Sequence, residues 1–313
     1  MPEQEKAELE LVRRYERDGF LFPLEILTPE EAGYYRKKYD EYVSRYGGPG
    51  QGDERRVRGN KVFRLHLVAP WAASLVRNSK LVAAVKAVLN CSSLLVWSSD
   101  LTVKPPRSSQ CFGWHQDCAY AELGPPDKLV TAWVALSDSR EENGFVRLLA
   151  GSHRAGVLTH EGQVRTEERN LVLGQVVPDQ HLPSGTREVL CQLRPGEASL
   201  HGWRTVHSSQ PNTSTQPRLG LAIRFMCADT VRQTSAVVRD RVSLVAGQYS
   251  GDTFELEKEP QVEYGKEEWA EHKLSMAREW ERRRLSKQRG LLPSHQERNR
   301  REEGEGEGGD TEL

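Results

Sequence analysis

The distribution of apolar and polar residues along the chain changes at about residue 93. Before that point, residues 3–17, 29–45 and 78–90 have the composition of helices, and residues 20–27 form a short apolar run that predicts a strand. After it, short β-type runs alternate with Gly, Pro and Asn, which is typical of all-β domains. These runs predict strands near residues 93–104, 129–136, 145–149, 188–194, 197–201 and 218–226.

The second predicted helix has a well-defined beginning. Thr28 is a good N-cap residue, Pro29 suits the first helical position, and Glu31 stands where a capping box needs an acidic side chain. The sequence therefore predicts that this helix begins at Pro29. A charged helical pattern returns from about residue 262.

The chain of 313 residues divides into three predicted parts. Residues 1–260 form one all-β domain with N-terminal helices, residues 261–289 form a charged helix, and residues 290–313 form a disordered tail. The tail is inferred from charge segregation, since residues 282–301 are mostly basic and the residues after them are acidic and rich in glycine. A basic stripe over 282–301 could contact nucleic acid or an acidic partner, but a solvated charged face is the favoured interpretation.

Composition excludes several classes of protein. Hydrophobic residues make up 37% of the chain, enough for a sizeable core, and no apolar run approaches the ~20 residues of a membrane-spanning helix. The net charge of −1 gives no basic field for nucleic acid, and the charged N-terminus is neither a signal peptide nor a basic transit peptide. The five cysteines are widely spread, which favours free thiols in a reducing compartment and a cytoplasmic location.

The first candidate for chemistry is the segment His115-Gln116-Asp117. Residues i and i+2 of an extended segment point to the same side, so one imidazole and one carboxylate could bind a single ion. The pattern alone is weak, because a chance His-x-Asp or a surface pair is common. A second imidazole, His207, follows 92 residues after His115. Two histidines and one carboxylate can form the facial triad that binds non-haem Fe(II) and leaves three positions open.

The strand predicted near residues 218–226 has two different faces. Four apolar side chains alternate with two arginines and two small residues. Small residues leave room and a guanidinium suits a carboxylate, so this second face could bind an acidic ligand. A solvent-facing strand with ordinary surface arginines is an equally good interpretation. The apolar face comprises Leu219, Leu221, Ile223 and Phe225, and the other face comprises Arg218, Gly220, Ala222 and Arg224.

Taken with their spacing, His115-x-Asp117, His207 and Arg218 resemble the phytanoyl-CoA dioxygenase family of Fe(II)/2-oxoglutarate-dependent oxygenases. The likeness runs in order over roughly residues 9–230. The further matching stretches are Asp18-Gly19-Phe20, Thr28-Pro29-Glu30-Glu31, Thr131-Ala132-Trp133, Glu142-Asn143-Gly144, Gly151-Ser152-His153 and His207-Ser208-Ser209-Gln210-Pro211-Asn212.

The resemblance implies a mainly β fold, namely a double-stranded β-helix (a jelly-roll or cupin-like barrel) with flanking N-terminal and C-terminal helices. It also implies Fe(II), the co-substrate 2-oxoglutarate and O₂ as the reaction components. The residues that match the family's site are His115, Asp117 and His207 as iron ligands, and Arg218, Ser209 and Trp133 as contacts of 2-oxoglutarate.

The reaction that the resemblance implies is hydroxylation of a small molecule with release of succinate and CO₂. Asp117 favours hydroxylation or another oxidation over halogenation, because related halogenases carry a small residue in its place. A small-molecule substrate is the expected partner, without nucleic acid or membrane, and no motif names that substrate or the oligomeric state. Two alternatives stay open: a non-catalytic metal- or 2-oxoglutarate-binding module of the same fold, and an interaction protein that acts through its tail.

Two further histidines lie near these motifs. His201 stands six residues before His207, but its spacing to Arg218 does not match the family, so we interpret it as a packing residue beside the metal. His153 follows a predicted strand within Gly-Ser-His-Arg, and we interpret it as structural.

Several other residues could line the site. Arg224 could bind an acidic group of the substrate or form a buried ion pair, Lys104 receives no role, and Cys118 is interpreted as a bystander beside the metal. The candidates for the substrate wall are residues 118–128 and 152–187, neither of which has a diagnostic motif.

Overall fold

The computed structural model describes residues 3–48, 57–58, 61–162, 170–171, 175–234 and 238–288. The tail predicted over 290–313 lies outside these residues. No helix among the described residues is long and apolar enough to cross a bilayer. The helices are α1 (Glu3–Asp18), α2 (Pro29–Tyr46), α3 (Pro70–Val76), α4 (Ser79–Leu89) and α5 (Lys266–Gln288).

Helix α2 begins where its capping signal predicts. Thr28 Oγ1 accepts a hydrogen bond from the backbone N–H of Glu31 at 3.2 Å, and the Glu31 carboxylate accepts one from the backbone N–H of Thr28 at 2.8 Å. The three helices predicted in the N-terminal third of the chain are confirmed as α1, α2 and α4. Helix α3 was not predicted, because its residues are buried on nearly every side and leave no polar face to mark a helical period.

The strands confirm the β region that the sequence predicts. The six runs expected between residues 93 and 226 are β4, β7, β8, β12, β13 and β15, and the early apolar run is β1. In chain order the strands are β1 (Phe20–Glu25), β2 (Val57–Arg58), β3 (Lys61–Phe63), β4 (Leu94–Lys104), β5 (Gln110–His115), β6 (Leu123–Gly124), β7 (Leu129–Ala135), β8 (Val146–Ala150), β9 (Glu161–Gly162), β10 (Asn170–Leu171), β11 (Gln175–Val176), β12 (Arg187–Cys191), β13 (Glu197–Gly202), β14 (His207–Ser209), β15 (Arg218–Cys227), β16 (Arg232–Gln233), β17 (Arg241–Ala246) and β18 (Glu255–Leu256).

Two sheets face each other. The major sheet has the order β1-β13-β7-β15-β4-β17-β18, with β2 and β3 attached beside β4, and the minor sheet has the order β10-β5-β14-β8-β12. Side chains of both sheets meet in one buried cluster, in which Trp133 and Ala222 of the major sheet pack with Leu148 and Cys191 of the minor sheet. The predicted double-stranded β-helix with flanking helices is confirmed.

Strand β15 separates the helix-facing core from the space between the sheets. Its alternate residues pack into the core that also contains Leu81, Val85 and Leu89 of helix α4, while Ala222 belongs to the cluster between the sheets. The alternation predicted from the sequence is therefore confirmed, and the arginine-bearing face points inward rather than to solvent. The helix-facing residues are Leu219, Leu221, Ile223 and Phe225.

Helix α5 is attached to the barrel by buried ion pairs. Arg282 is 1% exposed, and its Nε lies 2.8 Å from Asp240 Oδ1 while a terminal nitrogen lies 3.2 Å from Glu122 Oε2. Asp240 also accepts a hydrogen bond from Trp97 Nε1 at 2.8 Å. The expectation of a solvated basic face from residue 282 onwards is wrong for Arg282, because its two carboxylate partners come from distant parts of the chain.

A second buried cluster joins α5 to the segment that precedes β4. Arg64 lies 2.7 Å from Glu257 Oε1 and 3.3 Å from Glu279 Oε2 of α5. Burial alone would raise the pKa of Glu257, but the charge of Arg64, the neighbouring His66 and the hydrogen bond from Ser243 lower this pKa to about 2. The carboxylate is therefore ionised at neutral pH, and α5 is held by charge pairs from two directions.

We expect the substitution Arg282→Ala to destabilise the protein by about 3–5 kcal/mol, because it leaves two buried carboxylates without their cation. Urea unfolding followed by tryptophan fluorescence measures this change. Arg284→Ala is the matched control, since Arg284 is exposed on the same helix and should change stability by less than about 0.5 kcal/mol. Equal stability of the two variants would contradict the structural role of Arg282.

Candidate metal centre and anion pocket

Two strands of the minor sheet bring two histidines together. Strand β5 ends at His115 and strand β14 begins at His207, and their antiparallel pairing sets these residues directly opposite each other. Their ring centroids are 4.0 Å apart. Directly opposed residues are the closest side-chain neighbours that two paired strands offer. The pairing of β5 with β14 thus brings together two histidines that are 92 residues apart in the sequence.

Each imidazole is fixed by a backbone carbonyl two residues earlier. His115 Nδ1 lies 2.8 Å from the carbonyl oxygen of Gly113, and His207 Nδ1 lies 3.0 Å from that of Thr205. A carbonyl oxygen only accepts hydrogen bonds, so Nδ1 must donate in both rings. The lone pair of each ring is then on Nε2, which is how metal-binding histidines are commonly held.

Asp117 completes the cluster. One ligand atom from each of His115, Asp117 and His207 lies within 4.8 Å of the others, so these three side chains could hold one metal ion. Thr131 Oγ1 donates a hydrogen bond of 2.5 Å to Asp117 Oδ2 and so orients the carboxylate. His201 Nε2 lies 3.7 Å from the same oxygen. Thr131 and His201 are themselves opposite each other on strands β7 and β13.

The protonation states of the cluster suit a metal ion. Burial alone would raise the pKa of Asp117, but the neighbouring His201, His207 and Arg224 hold it well below the ordinary value. Burial, together with His115 and His201, holds the pKa of His207 well below its ordinary value. A carboxylate therefore faces a neutral imidazole at pH 7, as metal binding requires. Two imidazoles and one carboxylate are a donor set that suits non-haem Fe(II).

A second buried cluster gathers around Ser209, two residues beyond His207 on β14. A terminal nitrogen of Arg218 donates to Ser209 Oγ at 2.9 Å and to the carbonyl oxygen of Gly144. Lys104 stands opposite Arg218 in the pairing of β4 with β15, and its Nζ donates to Ser209 Oγ at 2.7 Å. The sequence gives no sign of this position of Lys104, because it depends on the register of two strands.

We define the anion pocket as Lys104, Arg218 and Ser209. Its two basic side chains, Lys104 and Arg218, have no carboxylate partner among the described residues. Burial lowers the pKa of Arg218 to about 10. Burial and the charge of Arg218 lower the pKa of Lys104 to about 6. Arg218 Nε is also buried and has no hydrogen-bond partner among the described residues. At pH 7 Lys104 is therefore largely neutral and Arg218 carries a buried charge without a counter-ion, so the pocket is suited to bind a ligand carboxylate, which would also favour the charged form of Lys104.

Trp133 closes one side of the anion pocket. The guanidinium carbon of Arg218 lies 5.0 Å from the centre of the indole ring, which is a cation–π contact. The indole also lies against Gly220, where a Cβ atom would overlap the ring. A glycine at this position of β15 therefore allows the tryptophan to reach the arginine.

The structure also shows the surroundings of three other residues that the sequence analysis considered, namely Arg224, Cys118 and His153. Arg224 forms a buried ion pair with Asp100 at 2.6 Å, rather than pointing freely into the site. Burial and the charge of Asp117 raise the pKa of Cys118 to about 12, so its thiol is protonated and a poor ligand. His153 Nε2 bonds the carbonyl oxygen of Glu16 at 3.1 Å, which is consistent with a structural role.

Gln116, between the first two candidate ligands, anchors the segment that follows β8. Its amide nitrogen donates to the carbonyl oxygens of Gly156 at 2.8 Å and Arg204 at 2.7 Å, and its amide oxygen accepts from the backbone N–H of Leu158 at 2.7 Å. Its backbone N–H donates to His160 Nε2 at 3.0 Å. Part of the predicted substrate wall is therefore fixed directly to the metal cluster. Residues 163–169 and 172–174 of that wall lie outside the described residues.

Two facing sheets that hold a His-Asp-His cluster beside a cationic pocket define the class of non-haem iron oxygenases that use 2-oxoglutarate. A family model described as phytanoyl-CoA dioxygenase matches residues 15–220. The chain belongs to the phytanoyl-CoA dioxygenase family, as the sequence motifs predict. It is an Fe(II)- and 2-oxoglutarate-dependent dioxygenase.

The similar proteins share oxygenase chemistry and differ in substrate. Ectoine dioxygenase from Streptomyces coelicolor is 26% identical over 228 residues, which cover 67% of this chain and 74% of that protein. A probable alpha-ketoglutarate-dependent hypophosphite dioxygenase from Stutzerimonas stutzeri is 33% identical over 169 residues, 54% of this chain and 57% of that protein. The apo structure of the non-heme monooxygenase ThoJ superposes with a TM-score of 0.74 at 28% identity, covering 89% of this chain and 99% of that one.

We expect Gly220→Ala to weaken 2-oxoglutarate binding about tenfold or more, because the added methyl group displaces the Trp133 indole at a cost of ~1–3 kcal/mol. Titration calorimetry with 2-oxoglutarate and a metal ion measures the affinity. Gly33→Ala is the control, since its Cβ would point into open space on helix α2. Unchanged affinity in Gly220→Ala would show that Trp133 does not shape this pocket.

Proposed function

We propose that the protein hydroxylates a small polar molecule, with Fe(II) held by His115, Asp117 and His207 and with 2-oxoglutarate held by Arg218 and Lys104. The proposal rests on one observation, the adjacency of the His-Asp-His cluster and two buried basic side chains, Lys104 and Arg218, that lack a carboxylate partner among the described residues. 2-Oxoglutarate has a metal-chelating end and a second carboxylate at its other end. It can therefore satisfy both clusters at once.

The side chains around the two clusters have distinct roles in this proposal. Ser209 Oγ accepts from Lys104 and Arg218 and donates its own proton to the carbonyl oxygen of Gly144 at 2.7 Å, so it positions both basic side chains for the ligand carboxylate. The Trp133 indole covers the guanidinium of Arg218 and keeps water from it. Thr131 keeps the Asp117 carboxylate oriented toward the metal position. Iron and 2-oxoglutarate, when bound, would supply the oxidising chemistry with O₂, with succinate and CO₂ as co-products.

The polar character of the substrate is inferred from two buried side chains beside the cluster. The ring of Tyr120 lies edge-on to His115 and to His160, with centroid distances of 6.0 Å, and its hydroxyl has no hydrogen-bond partner among the described residues. Within the same part of the chain neither ring nitrogen of His201 makes a hydrogen bond, since Asp117 Oδ2 lies 3.7 Å from Nε2. Such groups cost about 1–3 kcal/mol each when buried unpaired, so a ligand that bonds them is favoured. Ectoine, which the relatives' names give as their substrate, is the first compound to test.

The decisive experiment is an anaerobic titration. We expect Fe(II) and then 2-oxoglutarate to produce the visible charge-transfer band of the chelate in the metal-free wild type and not in Asp117→Ala. Asp252→Ala, which removes an exposed carboxylate, should keep the band. Far-UV circular dichroism checks that the variants are folded.

The outcomes separate the candidate functions. A folded wild type without the band contradicts the proposed site. A band without succinate release for any substrate under O₂ favours the non-catalytic binding module instead. Succinate release that survives removal of residues 289–313 excludes the tail from the catalytic machinery.

We expect 2-oxoglutarate affinity to fall as pH rises above about 6. The pKa of Lys104 is about 6 in the free protein, and a bound carboxylate raises it, so binding takes up a proton in this range. Below pH 6 the lysine is already charged and the affinity should be flat, while above it the affinity should fall by at most about tenfold per pH unit. Calorimetry in two buffers of different ionisation enthalpy counts the proton.

The matched control for this measurement is Lys104→Arg, whose side chain stays charged throughout. It should bind 2-oxoglutarate without proton uptake. Equal affinity of the wild type at pH 6 and pH 8, with no proton uptake, would show that Lys104 does not contact the co-substrate.

A further inference from the structure

His201 faces the candidate metal centre from the major sheet. It lies on β13, and the pairing of the strands sets it between Phe20 of β1 and Thr131 of β7. Its side chain is 3% exposed, and the centroid of its ring lies 4.3 Å from that of His207. The imidazole is therefore held in the interior of the barrel, beside a candidate ligand on the opposite sheet.

The two oxygens of the Asp117 carboxylate have different surroundings. Oδ1 lies 4.0 Å from His207 Nε2. This separation leaves room for one ion between the two atoms, since an ion such as Zn²⁺ binds nitrogen and oxygen ligands at about 2.0–2.2 Å. Oδ2 accepts the hydrogen bond from Thr131 Oγ1 and lies 3.7 Å from His201 Nε2. One oxygen thus lies next to the candidate metal position, while the major sheet holds the other.

Three side chains of the major sheet form one row that faces Asp117. His201 of β13, Thr131 of β7 and Arg224 of β15 are directly opposite one another across three neighbouring strands. Arg224 forms its ion pair with Asp100 and acts on Asp117 through its charge. The register of the major sheet therefore gives this carboxylate a hydroxyl, an imidazole and a more distant cation as neighbours.

The ring nitrogens of His201 have no hydrogen-bond partner among the described residues, and Nε2 is the one that faces the carboxylate. A carboxylate oxygen only accepts hydrogen bonds, so the proton of the neutral ring is favoured on Nε2. The described side chains whose ligand atoms lie within 4.8 Å of one another are His115, Asp117 and His207, without His201. The imidazole is thus placed to hold the carboxylate rather than to bind the metal.

We propose that His201 is a positioning residue, which holds Oδ2 of Asp117 from the major sheet and leaves Oδ1 to the metal. The inference rests on the proposed function, because it requires Asp117 to bind the ion. A carboxylate that is held at one oxygen keeps a fixed orientation, and outer partners of this kind typically change metal affinity by about 10–100-fold. The second ring nitrogen, Nδ1, remains available to a polar substrate.

The test titrates Co(II) into the full-length, metal-free protein and follows the visible absorption of the bound ion. We expect His201→Phe, which keeps an aromatic ring and removes the donor, to bind Co(II) about 10–100-fold more weakly than the wild type. His201→Gln should bind Co(II) nearly as tightly as the wild type, because its side-chain amide can donate to the same oxygen. His181→Phe makes the same change at an exposed imidazole and should leave the affinity unchanged.

The Co(II) spectrum separates a positioning role from a packing role. Without His201, only Thr131 holds Oδ2, so the carboxylate is freer to bind the ion through both oxygens. We therefore expect His201→Phe to change the intensity of the Co(II) bands at saturation, and His201→Gln to keep the wild-type spectrum. Far-UV circular dichroism checks that each variant is folded, and His201→Leu replaces His201→Phe if the larger ring prevents folding.

Two results overturn the role of His201 while leaving the metal site intact. The first is equal Co(II) affinity of His201→Phe and the wild type. The second is an equal loss of affinity in His201→Phe and His201→Gln, which would make the shape of the ring, and not its donor, the cause. A folded wild type that binds no Co(II) instead overturns the proposed metal site, and this inference with it.

Discussion

The site depends on the register between β5 and β14. This pairing sets His207 opposite His115, and strand β14 is only three residues long, so its last residue is already Ser209 in the anion pocket. One short strand therefore positions both a candidate metal ligand and a residue of the anion pocket. A slip of one residue would turn both side chains to the other face of the sheet. The separation between the candidate metal site and the anion pocket is thus set by the backbone of β14.

Several charged or basic side chains point into the barrel, and their contacts explain how the fold accommodates them. Strand β15 places arginines on its inner face and large apolar residues on its outer face, where they pack against the helices. Arg224 is neutralised by Asp100, while Lys104 and Arg218 share only the hydroxyl of Ser209 and backbone carbonyls. The inner face thus combines one ion pair, Arg224 with Asp100, with two basic side chains, Lys104 and Arg218, that have no acidic partner among the described residues.

Local patterns in the sequence predicted much of the fold and site. The capping box at Thr28, the alternation along β15 and the His-x-Asp spacing all describe neighbours in the chain, and each agrees with the structure. Features that depend on distant partners were missed. Lys104 is opposite Arg218 only through strand register, and Arg282 is buried only because Asp240 and Glu122 receive it. The roles of the site residues remain predictions, because similarity assigns the family and not each side chain.

The attachment of α5 has a consequence for how the chain reaches its folded state during synthesis. Asp240 and Glu122 are buried in the finished protein, and the cation that pairs with both is supplied by the last helix. Because the ribosome delivers the chain from its N-terminus, every strand of the barrel emerges before Arg282 does. The nascent barrel must therefore leave these carboxylates open to water until the final turns of α5 arrive. The burial of these two carboxylates is therefore completed only when the turn of α5 that carries Arg282 docks on the barrel.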